Sequence, residues 1–366
     1  MINKLVLENL KHRPVRTLLS VAAIAIEVTM ILTLVGVSRG VIEESQRRAR
    51  GVGADVWIRP PGSSLMSFNS VNMPEKLTEF FEKQPHVVLA TGSANSGAGI
   101  LESVAGVDFD KFERLSGKLR FLKGGPITGP GQIIVDERYA QQKGLKPGST
   151  INLWNRDWQV AGVYESGKLS RMMLPLQTVQ ELSGAAGKLS QIFLKLDDPA
   201  NVGQVVAALK ANPQLAGYPI YSVEEWMSLF SVDNAPGLRP FIGVVITLGV
   251  VVGFLVVFLS MYTAVLERTR EIGILKSLGA SHGYILGILL RETAILALVG
   301  AVFGILVTYG TRYIVNTYTG PAFNQIIVAD WWPITTAIAL CGSLLGTLYP
   351  GLKAVRQDAL EALSYE

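Results

Sequence analysis

Apolar residues in this chain gather into long runs instead of alternating with polar ones. A helix that crosses the ~30 Å hydrocarbon core of a membrane needs about 20 mostly apolar residues, each rising about 1.5 Å. Four segments meet that requirement. Thr17 to Ser38 is interrupted only by Glu27, and Phe241 to Leu266 is uncharged; His282 to Thr311 carries Arg291 and Glu292 near its start, and Trp331 to Leu352 is again uncharged. The first run is longer than the roughly 7–15 residues of a signal-peptide core and is followed by no small-x-small cleavage pattern, so it reads as a retained helix.

Between the first and second runs the pattern changes. Strand-like stretches at Asp55 to Arg59, Gln132 to Val135, Ser149 to Leu153, Trp158 to Val163 and Gln191 to Leu196 are interspersed with helical ones. The helical stretches are Glu75 to Phe81, Glu137 to Lys143, Leu176 to Ser183 and Val202 to Leu209. Turns fall at Gly124-Gly125-Pro126, Gly129-Pro130-Gly131 and Lys146-Pro147-Gly148, and the small, polar stretch Gly62 to Asn72 predicts a flexible loop. Val41 to Arg239 is long enough to bury a core of its own. The fold class is therefore a membrane protein with four transmembrane α-helices, one and then three, and a large inserted α+β extracytoplasmic domain.

Composition agrees: 49% hydrophobic and 17% charged residues are too apolar for soluble domains alone. The net charge of +4 would suit nucleic acid, but the cations flank the apolar runs, which argues against it. Lys4, Lys11, Arg13 and Arg16 precede the first run, Arg268, Arg270 and Lys276 lie between the second and third, and Lys353 and Arg356 follow the fourth. Only Arg312 and Asp330 charge the remaining short loop, so the positive-inside rule puts both termini in the cytoplasm and residues 312–330 outside. Arg39, Arg47, Arg48 and Arg50 run against that bias, but they open a large domain, whose charges weigh little. Trp331-Trp332 fits an interfacial aromatic belt. Cys341 stands alone in an apolar run, and His12, His86 and His282 have no second ligand at helical spacing, so no disulfide framework and no metal site are expected.

The segment from Glu267 to Ser281 follows the second run directly. Ile272, Leu275, Ile274 and Leu278 give it an apolar stripe at helical spacing, with Glu267, Arg270, Glu271 and Lys276 elsewhere, so it predicts a helix along the cytoplasmic surface. Three glycine pairs, Gly249 with Gly253, Gly300 with Gly304 and Gly342 with Gly346, are spaced to let membrane helices approach closely. Glu27 at mid-membrane would cost about 2.5–3.5 kcal/mol as an exposed charge, so it is expected to face protein or to be protonated. Arg291 and Glu292 are adjacent and cannot share one helix face; Arg291 is expected to snorkel near the cytoplasmic end of its helix. No Ser/His/Asp arrangement, zinc-binding helix motif or paired intramembrane acid supports an enzyme.

The block Glu267-Arg-Thr-Arg-Glu-Ile-Gly-Ile-Leu-Lys-Ser-Leu-Gly-Ala280 resembles the coupling helix of the MacB/FtsX-type permeases, the type VII ABC transporters. Asn9-Leu10 with Arg13-Pro14-Val15-Arg16-Thr17-Leu18 resembles the amphipathic approach to that family's first span. Gln132 to Glu137, Gly144 to Ser149 and Trp158 to Val163 resemble its extracytoplasmic core domain. The resemblance implies a cytoplasmic amphipathic segment 1–16, transmembrane helices at 17–40, 240–266, 282–311 and 331–352, a MacB-type core domain at 41–239, a coupling helix at 267–281, an outer loop at 312–330 and a cytoplasmic tail at 353–366. It also implies a multi-pass protein of the bacterial plasma (inner) membrane.

What such a protein would do follows from the same likeness. ATP binding and hydrolysis by a separate ATPase, with its Mg, would drive a conformational change of the outer domain for export or extraction of a substrate. Glu267, Arg268, Arg270, Glu271, Ile272 and Lys276 would form the ATPase contact. No Gly-x-x-x-x-Gly-Lys-[Ser/Thr] loop occurs, so the chain itself is expected to be non-catalytic and to bind no cofactor, with an ABC ATPase subunit as its partner. The other partners implied are a second copy or a related permease, membrane lipids and, where an outer membrane exists, a periplasmic adaptor. The alternative within the family is an FtsX-like scaffold that activates an extracytoplasmic enzyme such as a cell-wall hydrolase. The sequence departs from the family pattern at Glu27, usually a small residue, at Ala359, usually proline, and in having no fused ATPase.

Overall fold

The computed structural model describes residues 11, 14–63, 72–99, 102–229, 231, 238–319 and 323–356. The amphipathic segment before Pro14, most of the expected loop 62–72 and the tail beyond Arg356 lie outside the described residues, apart from Lys11 in the first and Gly62, Ser63 and Asn72 in the second. The chain forms two compact units, one of residues 1–38, 237–314 and 325–366, the other of 39–236 and 315–324.

Along the chain the elements are α1 (Pro14–Gly51), β1 (Val56–Ile58), β2 (Met73–Pro74), α2 (Leu77–Glu82), β3 (Val87–Gly99), β4 (Glu102–Val107), α3 (Phe109–Ser116), β5 (Phe121–Gly124) and β6 (Gln132–Asp136). There follow α4 (Glu137–Lys143), β7 (Thr150–Leu153), β8 (Arg156–Tyr164), β9 (Met172–Pro175), α5 (Leu176–Leu182), β10 (Lys188–Leu189), β11 (Gln191–Leu196), α6 (Val202–Ala211), β12 (Ile220–Ser222) and α7 (Val223–Leu229). The chain closes with α8 (Leu238–Glu267), α9 (Thr269–Ser277), α10 (His282–Tyr318) and α11 (Trp332–Arg356).

The first unit is helical. α1, α8, α10 and α11 are long and apolar enough to cross a membrane. Its core joins Ile24, Val28, Leu32 and Val35 of α1 to Val257 and Met261 of α8, Ala297 and Ala301 of α10, and Ala339 of α11. In an apolar surrounding, helices gain little from hydrophobic burial, and polar bonds between them supplement close packing. Thr29 Oγ1 donates to Gly304 O at 3.0 Å, the Ser20 and Ser260 hydroxyls meet at 2.7 Å, and Thr293 and Thr347 meet at 2.7 Å inside the bundle.

The second unit is built on a ten-stranded mixed sheet in the order β12-β1-β11-β3-β4-β9-β6-β8-β5, with β7 on β8. β4 with β9 and β6 with β8 are parallel, and the other neighbours are antiparallel. Two of its helices start where the sequence supplies a side-chain cap. Asp108 Oδ1 accepts from Lys111 N at 3.2 Å at the head of α3, and Asp136 Oδ1 from Tyr139 N at 2.7 Å at the head of α4. α4 stops at Gly144, whose φ of 65° is left-handed and costs glycine nothing.

The five strand-like stretches and four helical stretches of the sequence coincide with β1, β6, β7, β8, β11, α2, α4, α5 and α6. Periodicity did not indicate β3, β4, β5, β9 or α3. β3 is rich in Gly, Ala and Ser and has little intrinsic strand preference; it is held by pairing with β11 on one side and β4 on the other. α1 and α10 run on past the apolar stretches that predicted them, to Gly51 and Tyr318.

Candidate coupling site

The stretch between α8 and α10 breaks at Arg268, where φ of −108° and ψ of 15° end α8 and start α9. The single apolar stripe expected there resolves into two faces. Ile272, Thr269 and Gly273 are buried against the helical unit, whereas Ile274 is 45% exposed and Leu278 80% exposed. At 100° per residue, Ile272 and Ile274 lie on nearly opposite sides of one helix, so one stripe could not hold both.

Arg268 is also buried, and its partner explains why. Its Nη1 lies 3.1 Å from Oε2 of Glu292 on α10. The other carboxylate oxygen, Oε1, is 2.6 Å from Nη2 of Arg16 on α1. Glu292 is fully buried, so this carboxylate is neutralised by two guanidiniums that reach it from different helices. At its other end α9 is tied by Lys276 Nζ, which donates to Val355 O on α11 at 2.7 Å. The α9 segment is thereby tied directly to α10 and α11 and, through Glu292, to α1.

These positions divide the expected contact face. Of the six residues assigned to it, Arg268 and Ile272 point into the bundle and Lys276 is half-buried on α11; Glu267, Arg270 and Glu271 are exposed. Arg291 is exposed, while its neighbour Glu292 is the hub of the site, a role sequence reasoning did not give it. One signal was available: an acid inside an apolar run, with Arg291 necessarily on another face, needs a cation from elsewhere in the chain. An apolar cavity of about 300 Å³ runs beside α9, lined by Val265, Arg268, Glu271, Leu275, Ile285 and Leu289 among others.

The glycines fall at helix contacts within this chain. A Cβ on Gly300 would lie 2.8 Å from Ile24 Cβ, and one on Gly304 2.8 Å from Val28 Cβ and 2.7 Å from Ala25 O, so α1 lies directly on the glycine face of α10. Gly249 faces Met30, Gly346 faces the backbone of Phe254 and Phe258, and Gly342 is looser, 3.7 Å from Val250. Glu27 is 5% exposed and packs its carboxyl into the space that Gly253 leaves; a Cβ there would overlap Oε2. Its Oε1 is buried with no hydrogen-bond partner. Among the described residues no group of three or more His, Cys, Asp or Glu is placed to hold a metal ion.

Residues 243–359 match the FtsX-like permease C-terminal family and residues 17–212 the MacB-like periplasmic core domain. The uncharacterized ABC transporter permease YknZ of Bacillus subtilis is 25% identical over 99% of this chain and 98% of its own length. The macrolide export ATP-binding/permease protein MacB of Escherichia coli is 23% identical over 99% of this chain, which spans only 60% of that protein. The periplasmic region of MacB from Actinobacillus actinomycetemcomitans is 18% identical, with a TM-score of 0.38 over 51% of this chain and 97% of that one.

Proposed function

This chain belongs to the MacB/FtsX-type ABC transporter permeases, and from that premise we propose that α9 is its coupling helix, through which a separate ATPase subunit drives the chain. The observation that carries the proposal is the divided surface of α9. One face is fixed to the bundle through Arg268, Glu292 and Arg16, and the other leaves Arg270, Glu271, Ile274 and Leu278 exposed. An exposed helix carrying both charges and large apolar side chains has the composition of a protein contact. The rigid attachment supplies what coupling needs, because a push on the exposed face is delivered to α1, α10 and α11 together.

In this reading ATP binding and hydrolysis, with Mg, take place on the partner, and the permease converts the resulting movement into a change of its core domain for export or extraction of a substrate. α9 and both termini lie in the cytoplasm of a bacterial plasma membrane. The charge placement along the sequence supports that orientation.

The test is co-purification in mild detergent of the tagged chain and of a variant carrying Arg270→Glu with Glu271→Arg. The wild-type chain is expected to bring down an ATPase, and the variant to lose it while still eluting as a folded protein. Equal recovery from both would refute α9 as the contact. A wild-type chain that brings down no ATPase would refute the coupling proposal itself.

A further inference from the structure

The second unit contains a polar cavity of about 250 Å³ whose wall includes Glu44, Ser45, Arg48, Ser103, Tyr139 and Arg171. The acids on that wall already have cations. Glu44 is 4% exposed and receives Arg47 Nη2 at 2.6 Å, Arg48 Nε at 3.2 Å and Arg138 Nη1 at 2.7 Å. Glu102 receives the Tyr139 hydroxyl at 3.1 Å and Lys143 Nζ at 3.1 Å. Arg171 is different. It is 8% exposed, its Nε and Nη1 are buried with no acceptor, and among the described residues no carboxylate comes within ion-pair distance of it.

Asp136 is the remaining acid of the cluster. One of its oxygens caps α4, the other is buried without a partner, and burial raises its pKa, which favours the neutral form beside an incoming anion. Burial, with Arg48 adding to it, lowers Arg171 to about 10, so the guanidinium is still charged at neutral pH but in a site that disfavours it. Arg47, Arg48, Arg138, Arg171 and Lys143 outnumber Glu44, Glu102 and Asp136 by two charges with Asp136 ionised and by three with it protonated.

A buried, charged guanidinium lacking a counter-ion is a site awaiting an anion. Arginine's planar donors match the oxygens of a phosphate, whose negative charge offsets the local excess, more fully as a free dianion and in part as a singly charged diester. We propose that this cavity binds a phosphate group through Arg171 and Arg48. Val41, Met172 and Phe323 complete the lining with apolar surface, which suits an esterified phosphate with a carbon stub. In sequence, Val41 and Glu44 follow the end of the apolar stretch at Ser38 by three and six residues. A lipid headgroup is thus one source of the phosphate, and free phosphate is the other.

The full chain, purified in dodecyl maltoside, is titrated with inorganic phosphate or with short-chain phosphatidylglycerol, against chloride at matched ionic strength, and its thermal unfolding is followed. Either probe is expected to raise the unfolding midpoint by a few degrees where chloride does not. Arg171→Met is expected to weaken the apparent affinity about tenfold or more, as loss of a charge-assisted contact does. Its midpoint without probe should equal or exceed that of the wild type, because the uncompensated charge is gone. If Arg171→Met does not fold, Ser45→Phe, which fills the cavity and keeps every arginine, is expected to abolish the response. Action of phosphatidylglycerol alone assigns the site to a headgroup, and action of inorganic phosphate assigns it to the free anion. The proposal is overturned if neither probe acts, or if the variants respond like the wild type, which would leave Arg171 solvated by water only.

Discussion

Replacing Glu292 by glutamine keeps the shape of the buried hub and removes the carboxylate charge that Arg16 and Arg268 share. Breaking a buried ion pair from one side costs about 3–5 kcal/mol, since the remaining charges stay desolvated. The Arg16 side chain is 14% exposed and can turn toward water, and Arg268 at 9% cannot do so without moving α9. That asymmetry puts the cost near the lower bound, about 3 kcal/mol. At ~2–4 °C per kcal/mol the unfolding midpoint should fall by roughly 6–12 °C. The assay is fluorescence-detected gel filtration of heated samples in detergent, with Arg291→Gln as the control one residue away. Arg291 is exposed, and its loss should stay within about 0.5 kcal/mol, or ~2 °C. The double variant Glu292→Leu with Arg268→Met should recover part of the loss, since a well-packed apolar pair is often as stable as a buried ionic one. A Glu292→Gln midpoint within ~2 °C of the wild type would refute the hub.

Gly253→Ala should destabilise by about 1–3 kcal/mol, because its Cβ overlaps the Glu27 carboxyl, and pairing it with Glu27→Ala should relieve most of that cost in the same melting assay. Gly304→Ala meets the backbone carbonyl of Ala25 at 2.7 Å, which cannot turn aside, so no single side-chain change should rescue it. Asp136 carries a pH signature. Burial raises its folded pKa above the ordinary 3.8, so the folded state holds the proton more tightly than the unfolded one. The stability this gives is fully present below 3.8 and is lost as pH rises through the folded value. Asp136→Asn keeps the cap on Tyr139 and should flatten that fall when midpoints are measured from pH 3.5 upward, an unchanged slope being the contrary result.

How much of this was legible in advance depended on distance along the chain. The segments that cross the membrane are runs of apolar residues, and α4 is bracketed by a capping Asp136 and a terminating Gly144. Both signals sit in a window of a few to about 20 residues, and sequence displays such windows directly. The glycine pairs were visible as spacing, but their partners were not: α1 covers Gly300 and Gly304 through Ile24 and Val28, a choice made by which helices meet. β3 escaped notice because its small residues carry no alternation, and it becomes a strand only between β11 and β4.

By itself the sequence determined four spanning helices, an inserted α+β domain and a charged helix between the second and third spans, because hydrophobic length, periodicity and capping are local properties. Tertiary structure alone decided which side of α9 turns inward and that Arg16, 276 residues from Glu292, shares its carboxylate with Arg268. It likewise placed β9 between β4 and β6 and left Arg171 in a cavity without an acceptor. A buried charge takes the partner that folding brings within about 3 Å, and that distance is a property of the packed chain rather than of any segment in it.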